Sequence, residues 1–268
     1  MIRVGNLTIG EGQPKICASI TETSQKAIIA AADIMVQKHN YIVEWRMDYY
    51  EAIDHRDMIE ETLHRLSMSL FRKPLLVTFR TKQEGGKGTL DWEEYRELLL
   101  FMAKSPYVQM VDVEVFHNLS YEEVMQTGIE ENVTGKADEM RIFVEELRKD
   151  AVVVGSYHNF QETPSFDEMQ HRFRFMDWLG VDILKMAVMP TDKADVIKLM
   201  AATLEVSKLI DKPFITMSMG KLGSISRMMG EAFNSSVTFA SVGQSSAPGQ
   251  IAVAPLEDMM DRVHQFYR

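Results

Sequence analysis

Two residues stand where their chemistry is unusual. Lys185 lies in the apolar run Val181-Asp-Ile-Leu-Lys-Met-Ala-Val-Met189. An amine carried into a dry interior, with cations such as Arg46 and Arg80 nearby, is disfavoured in its charged form and becomes a nucleophile able to attack a ketone. The product is an imine. Once protonated, it draws electrons and acidifies the adjacent C–H, so a nearby base can start an elimination, aldol or isomerisation reaction. His158 ends Ser156-Tyr157-His158 and is the one histidine of seven on a predicted central strand. An imidazole there can shuttle a proton near neutral pH. The other six, His39, His55, His64, His117, His171 and His264, fall on predicted helices or loops and are expected to face solvent. A strand lysine more often snorkels from an edge, and a core histidine is often only bonded to backbone. The central position of Lys185 and the nearness of the two residues favour chemistry.

Such groups need a scaffold that points them at one another. Short β-rich runs recur at 16–20, 41–47, 75–80, 108–116, 151–158, 181–188, 214–219 and 237–242. Amphipathic helical segments fall between and after them at 24–39, 55–72, 91–104, 136–149, 165–179, 191–210, 222–232 and 255–267. Thr23-Ser24, Asp91 and Thr191-Asp192 are placed to start helices, and Lys73-Pro74 to close one. Strands alternating with helices predict a parallel sheet. The even spacing, without a Pro/Gly-rich linker, predicts an α/β protein of one domain over 1–268, a (β/α)₈ TIM barrel. Residues 1–10 read as a short hairpin capping the barrel floor, and the long connection 117–135 has room for an extra helical turn.

Side chains alternate along a strand, so residues two apart share a face. This parity predicts that Glu44 and Arg46, Thr78 and Arg80, Asp112 and Glu114, Ser156 and His158, and Ile183, Lys185 and Ala187 point inward. Arg46, Arg80, His158 and Lys185 then lie near the C-terminal ends of four strands, where this fold does its chemistry. The competing reading is that inward charges merely pair, Glu44 with an arginine for example. Asp112 and Glu114 lack companions for a cation site, and no HExxH or Cys/His cluster points to a metal. The glycine-rich 83–88 lacks the spacing and terminal Lys-Ser/Thr of a phosphate-binding loop. Residues 243–250 are small and polar enough for a lid, Arg227 could clamp a carboxylate, and Met217 and Met219 share a face that could line a cavity.

The 268 residues are 46% hydrophobic and 25% charged, which excludes a disordered or fibrous chain. A net charge of −10 argues against nucleic acid as a partner and requires that any anionic ligand be held by locally placed cations. The lone Cys17 permits neither a disulfide framework nor a cysteine metal site, and a reducing cytoplasm is the expected compartment. No secretion signal or membrane-length apolar stretch is read in the sequence.

The chain resembles the type I 3-dehydroquinate dehydratases of the shikimate pathway over nearly its whole length. The motifs are Glu44-Trp-Arg46 with Asp48, Thr78-Phe-Arg80 followed by Glu84-Gly-Gly, Asp112-Val-Glu114, Ser156-Tyr-His158 with Thr163-Pro164, Lys185-Met-Ala-Val-Met-Pro190, Thr216-Met-Ser-Met219, Ile225-Ser-Arg227, and Ser245-Ser-Ala-Pro-Gly-Gln250. The resemblance implies cofactor-free dehydration of 3-dehydroquinate to 3-dehydroshikimate through a Schiff base on Lys185. His158 would help form and release the imine and remove the C2 proton, with Glu84 orienting it. Glu44, Arg46 and Arg80 would hold substrate hydroxyls, and Arg227, Ser246 and Gln250 the carboxylate under a closing loop. It also implies a homodimer. From the residues alone, a Schiff-base aldolase of the same fold is the nearest rival, although Arg227 beside an amide and hydroxyl loop suits a carboxylate better than a phosphate. A non-catalytic sensor of the same metabolite would not need both Lys185 and His158.

Overall fold

The computed structural model describes residues 1–38, 41–117, 119, 121–126, 135–243 and 247–267. It opens with an antiparallel hairpin, β1 (Ile2–Val4) and β2 (Leu7–Ile9). Eight parallel strands follow: β3 (Lys15–Ile20), β4 (Ile42–Arg46), β5 (Leu75–Thr78), β6 (Met110–Glu114), β7 (Val152–Asn159), β8 (Ile183–Val188), β9 (Phe214–Ser218) and β10 (Val237–Ser241). They pair in chain order from β3 to β9, and β10 returns to pair with β3. The seam between β9 and β10 is closed by a bridge from Phe214 to Ser235 and by the Ser236 N–H donating to the Phe214 carbonyl at 2.7 Å. The Ser235 hydroxyl adds an acceptor for the Thr216 N–H at 2.9 Å. This is the expected barrel. A two-residue strand, β11 (Ile251–Ala252), pairs with the end of β10; its neighbourhood reads as polar loop, and no alternation announces it.

The helices are α1 (Gln25–Val36), α2 (Arg56–Leu70), α3 (Trp92–Ala103), α4 (Tyr121–Gln126), α5 (Lys136–Leu147), α6 (Phe166–Trp178), α7 (Lys193–Val206), α8 (Ser224–Met228) and α9 (Val253–His264). Ser24, Asp91 and Asp192 cap α1, α3 and α7 by accepting from backbone N–H groups, as their residue types foretell. Asp91 and Glu94 cap each other's backbone reciprocally. The helix expected over 222–232 is instead α8 and a 3₁₀ turn, Gly230–Phe233, with the break falling at the weak helix former Gly230. In the 117–135 connection α4 is the extra helical turn; 127–134 lie outside the described residues.

Parity divides the apolar side chains into two cores. Val43, Trp45, Val77, Val111, Val113, Leu184 and Met186 face the helices. Cys17, Ile42, Leu76, Met110, Val154, Ile183 and Ile215 fill the lower barrel, and Val4 and Ile9 of the hairpin join them from below. The hairpin thus closes the floor. Apolar filling of the lower layers leaves the polar inward positions to the upper end.

Candidate active site

At that end an open cavity is lined by Glu44, Arg46, Arg80, Glu84, His158, Phe160, Lys185, Met217, Met219, Phe239 and Gln250. Alternation along β4, β7 and β8 aims Glu44, Arg46, His158 and Lys185 into it, as predicted. Lys185 is 3% exposed, so its amine is inside the barrel rather than snorkelling out of it.

The amine is not isolated among cations as its apolar run suggests. Its Nζ donates to Asp112 Oδ2 at 2.7 Å, an ion pair within the barrel, and lies 4.7 Å from the centre of the Phe239 ring. Asp112 comes from β6 and reaches Lys185 across β7, so no inspection of the residues beside Lys185 reveals it. Burial would raise the Asp112 carboxyl, but Arg80 and then Lys185, with hydrogen bonds from Lys185 and Ser156, hold it at about 2.

Arg80 is the hub of this charge cluster. Its Nη2 donates to Asp112 at 2.6 Å, and its Nη1 to Glu84, Glu114 and Ser156 at 3.2, 3.1 and 3.0 Å. Burial alone would lower its pKa; Asp112, Glu114 and Glu84 instead carry it well above the ordinary value. The reading that inward charges pair holds for Arg80, Asp112 and Glu114. It names the wrong partner for Glu44, which accepts hydrogen bonds from the hydroxyls of Ser19 and Thr78. Arg46 instead forks onto Asp48, at 2.7 and 2.8 Å.

His158 and Glu84 form the second pair, with Nδ1 and Oε2 2.7 Å apart. Burial lowers the His158 pKa well below 6.5, and Arg80, Lys185 and Arg46 add to the effect. The imidazole is therefore neutral at neutral pH. Burial, then Glu114, pushes the Glu84 carboxyl well above 4.5, against the pull of Arg80. A neutral imidazole touching a carboxyl that resists ionisation is an arrangement able to exchange a proton between the two groups.

Arg227 is 1% exposed yet stands behind the cavity wall. Its Nη1 donates to the Phe239 carbonyl at 3.2 Å and its Nη2 to the Pro248 carbonyl at 3.1 Å, while Nε is buried without a partner. Burial lowers its pKa to about 10. Ser246 lies outside the described residues, and Gln250 lines the cavity. Met217 and Met219 line it as their parity predicts, and Phe239, unremarked in the sequence, does so through the alternation Val237-Thr-Phe-Ala. Two histidines expected in solvent are packed instead: His117 stacks on Trp92 and Tyr95, and His264 meets Glu231 at 2.8 Å. His39 lies outside the described residues.

A parallel eight-stranded barrel whose mouth holds a buried lysine, an ion-paired carboxylate and a histidine–glutamate pair defines the class of imine-forming barrel lyases and aldolases. The family model for type I 3-dehydroquinase matches residues 16–266. A 3-dehydroquinate dehydratase of Listeria welshimeri is 37% identical over 262 residues, covering 98% of this chain and 97% of the relative. One of Clostridioides difficile is 36% identical over 265 residues, with coverages of 98% and 97%. Among solved structures, the Clostridium difficile type I enzyme with covalently modified comenic acid superposes with a TM-score of 0.86 at 36% identity, covering 99% of this chain and 98% of that one. The Geobacillus kaustophilus enzyme gives 0.88 at 32%, with coverages of 100% and 97%. The chain belongs to the type I 3-dehydroquinase family.

Proposed function

We propose that this cavity dehydrates 3-dehydroquinate to 3-dehydroshikimate, as a hydro-lyase of the shikimate pathway, through an imine on Lys185. The amine passes a proton to the neutral His158 and attacks the C3 ketone; the imidazolium returns that proton to the hydroxyl of the adduct, which departs as water, leaving a protonated imine beside Asp112 and a neutral His158. That cation stabilises negative charge at C2, so His158, backed by Glu84, can remove the C2 proton. The electron pair expels the C1 hydroxyl, which takes a proton from the imidazolium and departs as water. Hydrolysis of the conjugated imine releases product and restores the lysine. Glu44 and Arg46 hold ring hydroxyls, with Arg80 fixing the carboxylates around them. The carboxylate is assigned to Arg227, with Ser246 and Gln250: Arg227 is a buried cation whose Nε has no partner and whose Nη1 lies 3.6 Å from the sulfur of Met217 in the cavity wall, so it reaches the ligand by exchanging a carbonyl bond for the carboxylate.

The observation that carries this reading is a lysine amine buried in the same cavity as the His158–Glu84 pair. Turnover of 3-dehydroquinate, followed by the ultraviolet absorbance of the enone formed, should be seen with the wild type and lost in Lys185→Ala; cleavage of sugar-phosphate aldols without dehydration would reverse the choice in favour of an aldolase. We further propose that the chain works as one barrel domain, in the cytoplasm and as a homodimer. The even strand spacing, the single reduced Cys17 and the family resemblance support these points in turn. No helix among the described residues is long and apolar enough to cross a membrane.

A further inference from the structure

Asp48 follows β4 in a 3₁₀ turn, Met47–Tyr49, and its side chain is fully buried. Its carboxylate accepts four hydrogen bonds. Oδ1 accepts from Arg46 Nε at 2.7 Å and from the Arg80 backbone N–H at 3.3 Å; Oδ2 accepts from Arg46 Nη2 at 2.8 Å and from the Lys87 backbone N–H at 3.0 Å. One carboxylate thus fastens a guanidinium in the cavity wall and both ends of the segment that carries Glu84. Asp48 itself does not line the cavity.

That segment is the glycine-rich stretch that fails as a phosphate-binding loop. The Gly88 N–H donates to the Arg80 carbonyl at 2.9 Å, the Lys82 N–H to the Gly88 carbonyl at 3.1 Å, and the Gly86 N–H to the Thr81 carbonyl at 2.8 Å. A Cβ on Gly86 would lie 2.0 Å from the Arg80 carbonyl oxygen, and Gly85 is left-handed at φ +81 with the Phe160 ring against it. Glycine is required for a turn this tight. On its far side Glu114 accepts from the Thr81 N–H and hydroxyl at 2.8 and 2.6 Å. Two buried carboxylates, one from the turn after β4 and one from β6 on the other side of β5, therefore hold the turn that aims Glu84 at His158.

We infer that Asp48 is a positioning residue that ties Arg46 and the Glu84 turn into one unit, so that the group holding substrate and the group orienting the base move together. The inference rests on the roles proposed for Glu84 and His158. Asparagine at 48 keeps the shape but presents an N–H₂ where one pair of donors now finds an oxygen. Asp48→Asn is expected to raise KM through Arg46, to lower kcat roughly tenfold or more as for other supporting contacts behind a reactive group, and to shift the limb of the kcat–pH profile set by the His158–Glu84 pair. In an Arg46→Gln background Asp48→Asn should still lower kcat, because the Arg80 and Lys87 N–H bonds remain to be lost. A rise in KM alone, with kcat and its pH profile unchanged, or a kcat effect that vanishes without Arg46, would overturn the inference.

Where Asp48→Asn does not fold, Thr81→Val probes the same turn from the other side, removing the hydroxyl that Glu114 holds at 2.6 Å and leaving the Arg46 fork in place. It should lower kcat and shift the same limb with KM changed by no more than about twofold, since the substrate-holding contacts are not touched. A wild-type profile would sink the idea. His158→Ala measured in parallel separates the two levels: if it keeps wild-type kcat the catalytic reading fails, whereas a large loss there with normal Asp48 and Thr81 variants removes only the coupling.

Discussion

Replacing Glu84 with glutamine should make the protein more stable at neutral pH and a poorer catalyst. Burial, with Glu114 adding to it, raises the Glu84 carboxyl well above 4.5. Above that pH the unfolded chain has ionised the group while the native chain still holds its proton. The native state then binds more protons, so stability falls as pH rises, until the native carboxyl itself ionises. Glutamine ionises in neither state and escapes the loss. The advantage of Glu84→Gln should grow by about 1.4 kcal/mol for each pH unit above the unfolded value and level off at the native one. The amide can still meet His158 Nδ1, now 2.7 Å from Oε2, but cannot exchange a proton with it, so kcat should fall roughly 10- to 100-fold. Urea unfolding of both proteins, followed by tryptophan fluorescence at several pH values between the two carboxyl pKa values, measures the difference directly. A difference that stays flat with pH, or a variant less stable throughout, would refute the reasoning.

His158→Ala should lower kcat by roughly 10² to 10⁴, the usual worth of a positioned proton carrier, and change KM only a few-fold; near-normal turnover would remove the histidine from the mechanism. Asp112→Asn should cost about 2 kcal/mol at neutral pH, since the carboxyl is held at about 2 against an ordinary 3.8. That contribution is complete above the unfolded value and fades as pH falls to the native one, so acid and urea titrations of the two proteins should converge at the acid end. Equal stability at neutral pH would show that Arg80 and Lys185 do not depend on Asp112. Arg227→Met should raise KM roughly tenfold or more, the scale of a charge-assisted pair to a carboxylate, and an unchanged KM would confine that arginine to holding the Phe239 and Pro248 carbonyls.

The inward set on β4 to β8 is legible in the sequence because a period of two fixes the face of every side chain before any tertiary contact forms. Lys185, His158, Glu44 and Arg46 reach one cavity for that reason, and the helix caps at Ser24, Asp91 and Asp192 are legible because each bond is local. The partners are not. Asp112 meets Lys185 across an intervening strand, a distance set by the tilt and register of the closed barrel: Asp112 stands opposite Val154, while Lys185 stands opposite Ser156. The apolar run around Lys185 therefore speaks for its burial and says nothing of its counter-charge. Glu84 lies in no strand; its aim comes from the turn that Asp48 and Glu114 grip, and only Glu84-Gly-Gly hints at such a bend. His117 and His264 look surface-bound for the same reason, their partners lying on other elements.

Borohydride added with 3-dehydroquinate, followed by intact mass and peptide mapping, puts the lysine to the proof. Reduction of the imine should leave a stable adduct, with its added mass on the peptide holding Lys185 and on no other. Dehydration proceeding at full rate while that peptide stays unmodified would contradict an imine at this amine.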